Sequence, residues 1–132
     1  MKTTAKLEQT DVERALSAGL GEAVRNGWTV SVAVVDAGGH LLGFMRRDGA
    51  IPASVEVALA KARTAATFNA PTGVLEDRIA ERPGMMILPG ATALRGGLPL
   101  VAEGSPVGGI GVSGGTPQQD EQIAKAGADA LG

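Results

Sequence analysis

His40 is the only histidine of the chain, and its side chain could serve more chemical roles than any other in the sequence. It follows Gly38-Gly39 at the start of a predicted strand. An imidazole can act as a general base near neutral pH, bind haem iron as an axial ligand, or simply hold a turn through a hydrogen bond. One histidine and no cysteine cannot supply the several ligands of a zinc site, so we predict no metal site.

Arg46 is the second candidate, because it is predicted to share a strand face with His40. That face is largely apolar, and an arginine on an apolar face usually needs a carboxylate partner or an anionic ligand. Asp36, Asp48 and Glu56 are candidate partners for a structural salt bridge. The alternative is that the guanidinium binds the carboxylate of a ligand.

Two methionines and a lysine complete the candidate set. Met85 and Met86 lie between Pro83-Gly84 and Pro89-Gly90, which predicts a stiff loop at the rim of a cavity. Thioether sulfurs can bind iron or line a pocket, although core packing is their ordinary role. Lys61 lies on a predicted helix, where it would either contact a ligand or belong to a solvated face.

The segment 109–114 matches the dinucleotide-binding pattern G-x-G-x-x-G, and Asp129 lies where that fingerprint has an acidic residue. That fold also needs a following helix and a second parallel strand, whereas this sequence stops at Gly132. We therefore interpret the segment as a glycine-rich strand over which another backbone packs closely.

Hydrophobic periodicity and turn signals predict the order α-β-β-α-(α)-β-β-β-α in one domain, 1–132. Both faces of the first two strands are apolar, which predicts cover on both sides, either by helices in a three-layer α/β/α sandwich or by a subunit partner. The predicted elements are a helix capped by Thr10 and ending at Asn26-Gly27, strands 29–36 and 40–47, helix 53–68, a short helix 72–79, a short strand 85–88, strands 98–102 and 106–112, and a helix capped by Thr116.

Composition narrows the function classes. The net charge is −2 and aromatic residues are 2%, so neither a basic face nor base-stacking side chains are expected, and we predict no nucleic-acid partner. No apolar run reaches the roughly 20 residues of a membrane span. The first residues have no apolar run typical of a signal peptide, so we predict a cytoplasmic protein. The 20 glycines indicate close packing of backbones and a close subunit interface.

Several motifs, in order, resemble the GlcG/HbpS family from about residue 10 onwards. They are the segments 31–42 (SVAVVDAGGHLL), 46–50 (RRDGA), 60–65 (AKARTA), 89–90 (PG), 96–100 (GGLPL) and 108–115 (GGIGVSGG).

This resemblance implies an α+β, profilin-like α/β/α sandwich with a five-stranded antiparallel sheet. It also implies a homo-oligomer (dimer-based, tetramer or octamer) and haem binding, with haem degradation in some members. Haem-binding members can draw an axial histidine from the N-terminal helical region, where this chain has none.

Two hypotheses follow. In the first, the protein binds haem or another tetrapyrrole in a pocket of an oligomer, with His40 or a methionine as the iron ligand. In the alternative, it is a cofactor-independent lyase or isomerase acting on a small carboxylated substrate, such as an aromatic acid. Arg46 would then bind the carboxylate and His40 would move a proton. The predicted ligand contacts are His40, Arg46, Lys61, Met85, Met86, Pro89 and Gly90.

Overall fold

Helices alternate with two β-hairpins along the chain, and the computed structural model describes all of it, residues 1–132. No helix has the length and apolar character needed to cross a membrane. The elements are α1 (Gln9–Asn26), β1 (Ser31–Asp36), β2 (Leu41–Arg46), α2 (Ser54–Phe68), α3 (Thr72–Glu81), a 3-10 helix (Pro83–Ile87), β3 (Gly97–Ala102), β4 (Ser105–Ser113) and α4 (Pro117–Asp129).

The sheet has four antiparallel strands in the order β2-β1-β4-β3. The α+β class fits, but the prediction of five strands is wrong. The missing strand is the predicted strand 85–88, most of which lies in the 3-10 helix. There the Met85 amide donates to the Arg82 carbonyl and the Leu88 amide to the Met85 carbonyl. Because these bonds are satisfied within a few residues, the segment joins no strand ladder.

Helices cover both faces of the sheet. On one face, Val32 and Val34 of β1 pack with Ile110 and Val112 of β4 in the main core, to which α1 and α4 contribute. On the other face, a smaller cluster is formed by Ala33 and Val35 of β1 and Ala58, Ala62 and Ala66 of α2. The prediction of cover on both sides is therefore confirmed for β1, whereas the edge strand β2 stays exposed or half-buried along its length.

Helix α2 lies almost directly on the backbone of β4. A Cβ atom added at Gly109 would collide with the carbonyl oxygen of Ala62, and one added at Gly111 would collide with that of Ala58. Both glycines are fully enclosed. The glycine-rich segment is thus a strand under a closely packed backbone, as the sequence indicated, and it opens no dinucleotide-binding turn.

Two helix starts differ in how well the sequence predicted them. Helix α1 begins at Gln9, with Glu8 as N-cap and Asp11 completing a reciprocal capping box, so Thr10 is not the cap. The Asp11 carboxylate accepts from the Glu8 amide at 2.9 Å, so this part of the box lies earlier in the chain than the sequence suggested. Helix α4 has the predicted box between Thr116 and Gln119.

We predict that Gly111→Ala destabilises the protein by about 1–3 kcal/mol, because the added methyl group forces α2 away from β4. Urea unfolding followed by circular dichroism measures the change. Gly84→Ala is the matched control, since a Cβ there meets nothing within 4 Å. Equal stability of the two variants would contradict the tight α2–β4 contact.

Candidate functional site

A polar turn between β1 and β2 holds His40. The Asp36 Oδ1 atom accepts hydrogen bonds from the backbone amides of Gly38 and His40, both at 2.9 Å. The same oxygen lies 3.3 Å from the His40 Nδ1 atom. The His40 side chain is 83% exposed, and its Nε2 atom has no hydrogen-bond partner in the protomer.

These contacts define the charge and tautomer of the pair. The hydrogen bond from the His40 amide, assisted by the Gly38 amide and by the imidazole, lowers the pKa of Asp36 below its ordinary value of 3.8. Asp36 is therefore a carboxylate at neutral pH. A carboxylate beside Nδ1 favours a proton on that nitrogen, which leaves the lone pair of a neutral imidazole on the exposed Nε2 atom.

Arg63 of α2 also contacts the turn that holds His40. Its Nε atom donates to the Gly39 carbonyl at 3.1 Å. Gly39 has a left-handed φ of 86° and lies so close to α2 that an added Cβ would be 3.5 Å from both Arg63 and Thr67. The Nη atoms of Arg63 contact no carboxylate and have no hydrogen-bond partner, and the residue is exposed. No sequence spacing connects residues 39 and 63, so this contact escaped the sequence analysis.

Arg46 lies at the opposite end of β2 from His40. Its Nε and Nη2 atoms donate to the Ala50 carbonyl at 3.1 and 2.7 Å, and no carboxylate lies within ion-pair distance. None of the three predicted salt-bridge partners is used. Since strand residues rise about 3.3 Å each, Arg46 and His40 are roughly 20 Å apart and do not meet within one protomer.

Lys61 is buried in an ion pair. Its Nζ atom donates to the Val112 carbonyl at 2.9 Å and to the Asp120 Oδ2 atom at 3.0 Å. The other oxygen of Asp120 accepts from the Gly115 amide at 2.9 Å. Burial raises the pKa of Asp120, while the Lys61 ammonium opposes that rise. Lys61 thus joins α2 to α4 at the end of β4, where it is shielded from any ligand outside.

Met85 and Met86 line an open cavity of about 340 Å³, whose other residues are Glu76, Ile79, Ala91, Ala93 and Leu94. Met86 is 70% exposed. The adjoining Pro89-Gly90 turn lies against α2. The Thr64 hydroxyl donates to the Ala60 carbonyl at 2.8 Å and accepts from the Thr92 amide at 2.8 Å, and it lies 3.4 Å from the Gly90 carbonyl. Arg63 and Thr64, neighbours on α2, therefore contact the His40 turn and the Gly90 turn respectively, but no residue lines both places.

A groove with a mixed apolar and polar lining includes Leu42, two residues beyond His40. It has a volume of about 420 Å³ and lies between the start of α1 and the edge strand β2. Its lining is Leu7, Glu8, Gln9, Val12, Glu13, Leu16, Leu42 and Gly43. The neighbouring Leu41 is 49% exposed. The apolar side of the groove consists of Leu7, Val12, Leu16 and Leu42, and Glu8 and Glu13 add carboxylates to its lining.

Comparison with known proteins places these features in a recognised group. The family described as "Haem degrading protein HbpS-like" matches residues 7–129. The protein GlcG of Escherichia coli strain K12 is 42% identical over 114 residues, which are 86% of this chain and 85% of GlcG. The matched segments contain the His40 turn and α2.

Solved structures with the same fold include HbpS and PduOC proteins. A double mutant of HbpS from Streptomyces reticuli superposes with a TM-score of 0.92 at 43% identity, covering 100% of this chain and 91% of that one. A complex of PduOC with haem superposes with a TM-score of 0.87 at 29% identity, covering 96% and 95% of the two chains.

We predict that Asp36 contributes to stability at neutral pH and that this contribution is lost as the pH falls below about 4. The sign follows from the lowered pKa of Asp36, since the unfolded state then binds the proton more tightly. The free energy of unfolding measured between pH 3 and 7 should therefore decline less in Asp36→Asn than in the wild type. Asp48→Asn, at an exposed position without a partner, should decline as the wild type does. Parallel curves for wild type and Asp36→Asn would contradict the assignment.

Proposed function

Because the chain belongs to the HbpS-like family, we propose that it binds haem or another tetrapyrrole in a pocket of a homo-oligomer. The observation that carries the proposal is the exposed Nε2 atom of His40, whose ring is held through Nδ1 by Asp36. HbpS and the PduOC complex with haem, which share the fold, support the choice of ligand class.

The residues present fit the iron of a haem. Histidine ligands of metals typically donate one ring N–H to a carboxylate or carbonyl and bind the metal through the other nitrogen. His40 has this arrangement before any ligand is present, since Asp36 lies at Nδ1 and Nε2 is free. A neutral imidazole is also a common axial ligand of haem.

The surroundings of His40 also fit an apolar macrocycle. Leu41 and Leu42 follow the histidine directly and are 49% and 43% exposed. The groove that includes Leu42 has a volume of about 420 Å³, within the roughly 300–1,000 Å³ typical of ligand pockets. We therefore propose the apolar side of the groove, formed by Leu7, Val12, Leu16 and Leu42, as the apolar wall of the site.

The chain and the ligand would have separate roles. Haem supplies redox-active iron when it is bound. The protein holds the imidazole in one tautomer, offers the Nε2 lone pair and removes the apolar ring from water.

The cavity lined by Met85 and Met86 offers the alternative ligand position that the sequence suggested. Met85 and Met86 would supply a thioether there, with Pro89 and Gly90 at its rim. We rank this position below His40 because a weakly basic sulfur without a fixing partner is less well oriented than an imidazole held by a carboxylate.

The homo-oligomer is proposed from the edge of the sheet. Strand β2 is an edge strand on which Leu41 and Met45 are 49% and 50% exposed, and Val24 of α1, 60% exposed, adds to the apolar surface of this side. An exposed apolar edge strand invites pairing or cover. A second copy of the chain would bury these side chains and would also close the open groove beside His40.

The alternative function is a cofactor-independent lyase or isomerase that acts on a small carboxylated substrate. The His40–Asp36 pair favours it, because an imidazole fixed by a carboxylate can also remove a proton from a substrate. The predicted carboxylate clamp, Arg46, lies too far from His40 in the same protomer to share a small substrate.

We expect the purified protein to bind ferric haem with a shift of the Soret band in an absorbance titration. His40→Ala should lose that shift and bind at least about tenfold more weakly, since one coordination bond is removed. Met86→Leu is the matched control, because it removes the competing ligand while preserving apolar volume, and it should behave as the wild type.

Two outcomes would contradict the proposal. A wild-type spectrum in His40→Ala together with its loss in Met86→Leu would move the ligand to the methionine cavity. No response to haem, combined with a rise in melting temperature on adding small carboxylic acids, would favour the enzyme instead.

We also expect Met45→Lys to shift the protein toward the monomer, because a buried ammonium opposes association. Size-exclusion chromatography with light scattering measures the mass. Ala80→Lys, on the exposed side of α3, should leave the mass unchanged. A wild-type monomer, or an unaltered oligomer in Met45→Lys, would exclude an interface at β2.

A further inference from the structure

Arg63 is an unpaired cation beside the proposed ligand position. Seven ion pairs occur in the protein, and none includes Arg63. The other cation of this part of α2, Lys61, is buried against Asp120, so it cannot serve a ligand at the surface. Of the two cations on this part of α2, Arg63 is therefore the one that can contact a molecule bound at the His40 turn.

The guanidinium is held in place before any ligand arrives. Its Nε atom donates to the carbonyl of Gly39, the residue directly before His40. With Nε fixed and Gly39 packed against its side-chain methylenes, Arg63 has less freedom than an ordinary surface arginine. Its Nη atoms keep their donors free, and such a fork suits a carboxylate.

Asp36, the acid closest to His40, does not use these donors. Its Oδ1 atom is occupied by two backbone amides and by the imidazole. Asp36 thus makes its hydrogen bonds within the turn, whereas the Nη atoms of Arg63, which is bonded to the turn only through Nε, have no partner. These free Nη donors favour an anionic group on the ligand.

We propose that Arg63 binds a carboxylate of the ligand held at His40 and makes the site selective for carboxylated tetrapyrroles over neutral ones. This inference rests on the proposed function. Arg63 would take the role for which the sequence suggested Arg46, whose guanidinium bonds the Ala50 carbonyl at the far end of β2.

The test compares ferric haem with its dimethyl ester, in which the carboxylates are neutral, in absorbance titrations of the whole protein. The wild type should bind haem more tightly than the ester by about tenfold or more, the range expected for hydrogen bonds to a charged group. Arg63→Gln should lose this preference by weakening haem binding alone. The spectrum of the bound iron should stay unchanged, because Arg63 does not touch the metal.

Two further variants separate charge from structure. Arg63→Lys keeps the positive charge and should retain part of the preference for haem. Arg14→Gln removes an exposed arginine on α1 and should change neither titration. If Arg63→Gln weakened haem and ester equally, Arg63 would only support the turn and the inference would be overturned.

The remaining outcomes distinguish this inference from its premise. Equal binding of haem and ester by the wild type would overturn the role of Arg63 while leaving tetrapyrrole binding intact. No binding of either compound by the wild type would overturn the proposed function and the inference with it.

Discussion

The close contact between α2 and β4 is the constraint on which the rest of the structure depends. Gly109 and Gly111 leave no room for side chains, so the helix backbone lies against the strand. At that short separation Lys61 reaches the end of β4 and the buried Asp120. Arg63, two residues along the helix, reaches Gly39 in the turn between β1 and β2. A larger residue in the strand would lift α2 and disturb both contacts together.

The same helix organises the surface around His40. One side of α2 fills the smaller core with alanines, while Arg63 holds the β1–β2 turn and Thr64 holds the segment after Pro89-Gly90 through the Thr92 amide. Asp36 holds the turn from within, through backbone amides and the imidazole. The result is a hydrogen-bonded turn beside which the His40 Nε2 atom and the Arg63 Nη atoms have no partner in the protomer. A turn held in this way lowers the entropy cost of binding a ligand there.

Sequence reasoning succeeded where the signal is local. The capping box at Thr116, the hairpin at Gly38-Gly39 and the continuous apolar run of β1 each depend on residues close together in the chain. It failed for 85–88, because apolar residues in a strand and in a 3-10 turn look alike when prolines restrict the backbone on both sides. It also failed for contacts between distant segments. The partner of Lys61 lies 59 residues away and that of Arg63 lies 24 away, distances at which spacing carries no information.

The central claim is that the Nε2 atom of His40 binds the ligand's iron, and a single histidine makes it unusually direct to test. Protein labelled with ¹⁵N only in histidine can be loaded with ferric haem and measured by pulsed electron paramagnetic resonance. The account predicts a ¹⁵N hyperfine coupling that disappears when the histidine is unlabelled. A haem-loaded protein whose spectrum is the same with and without the label would contradict it.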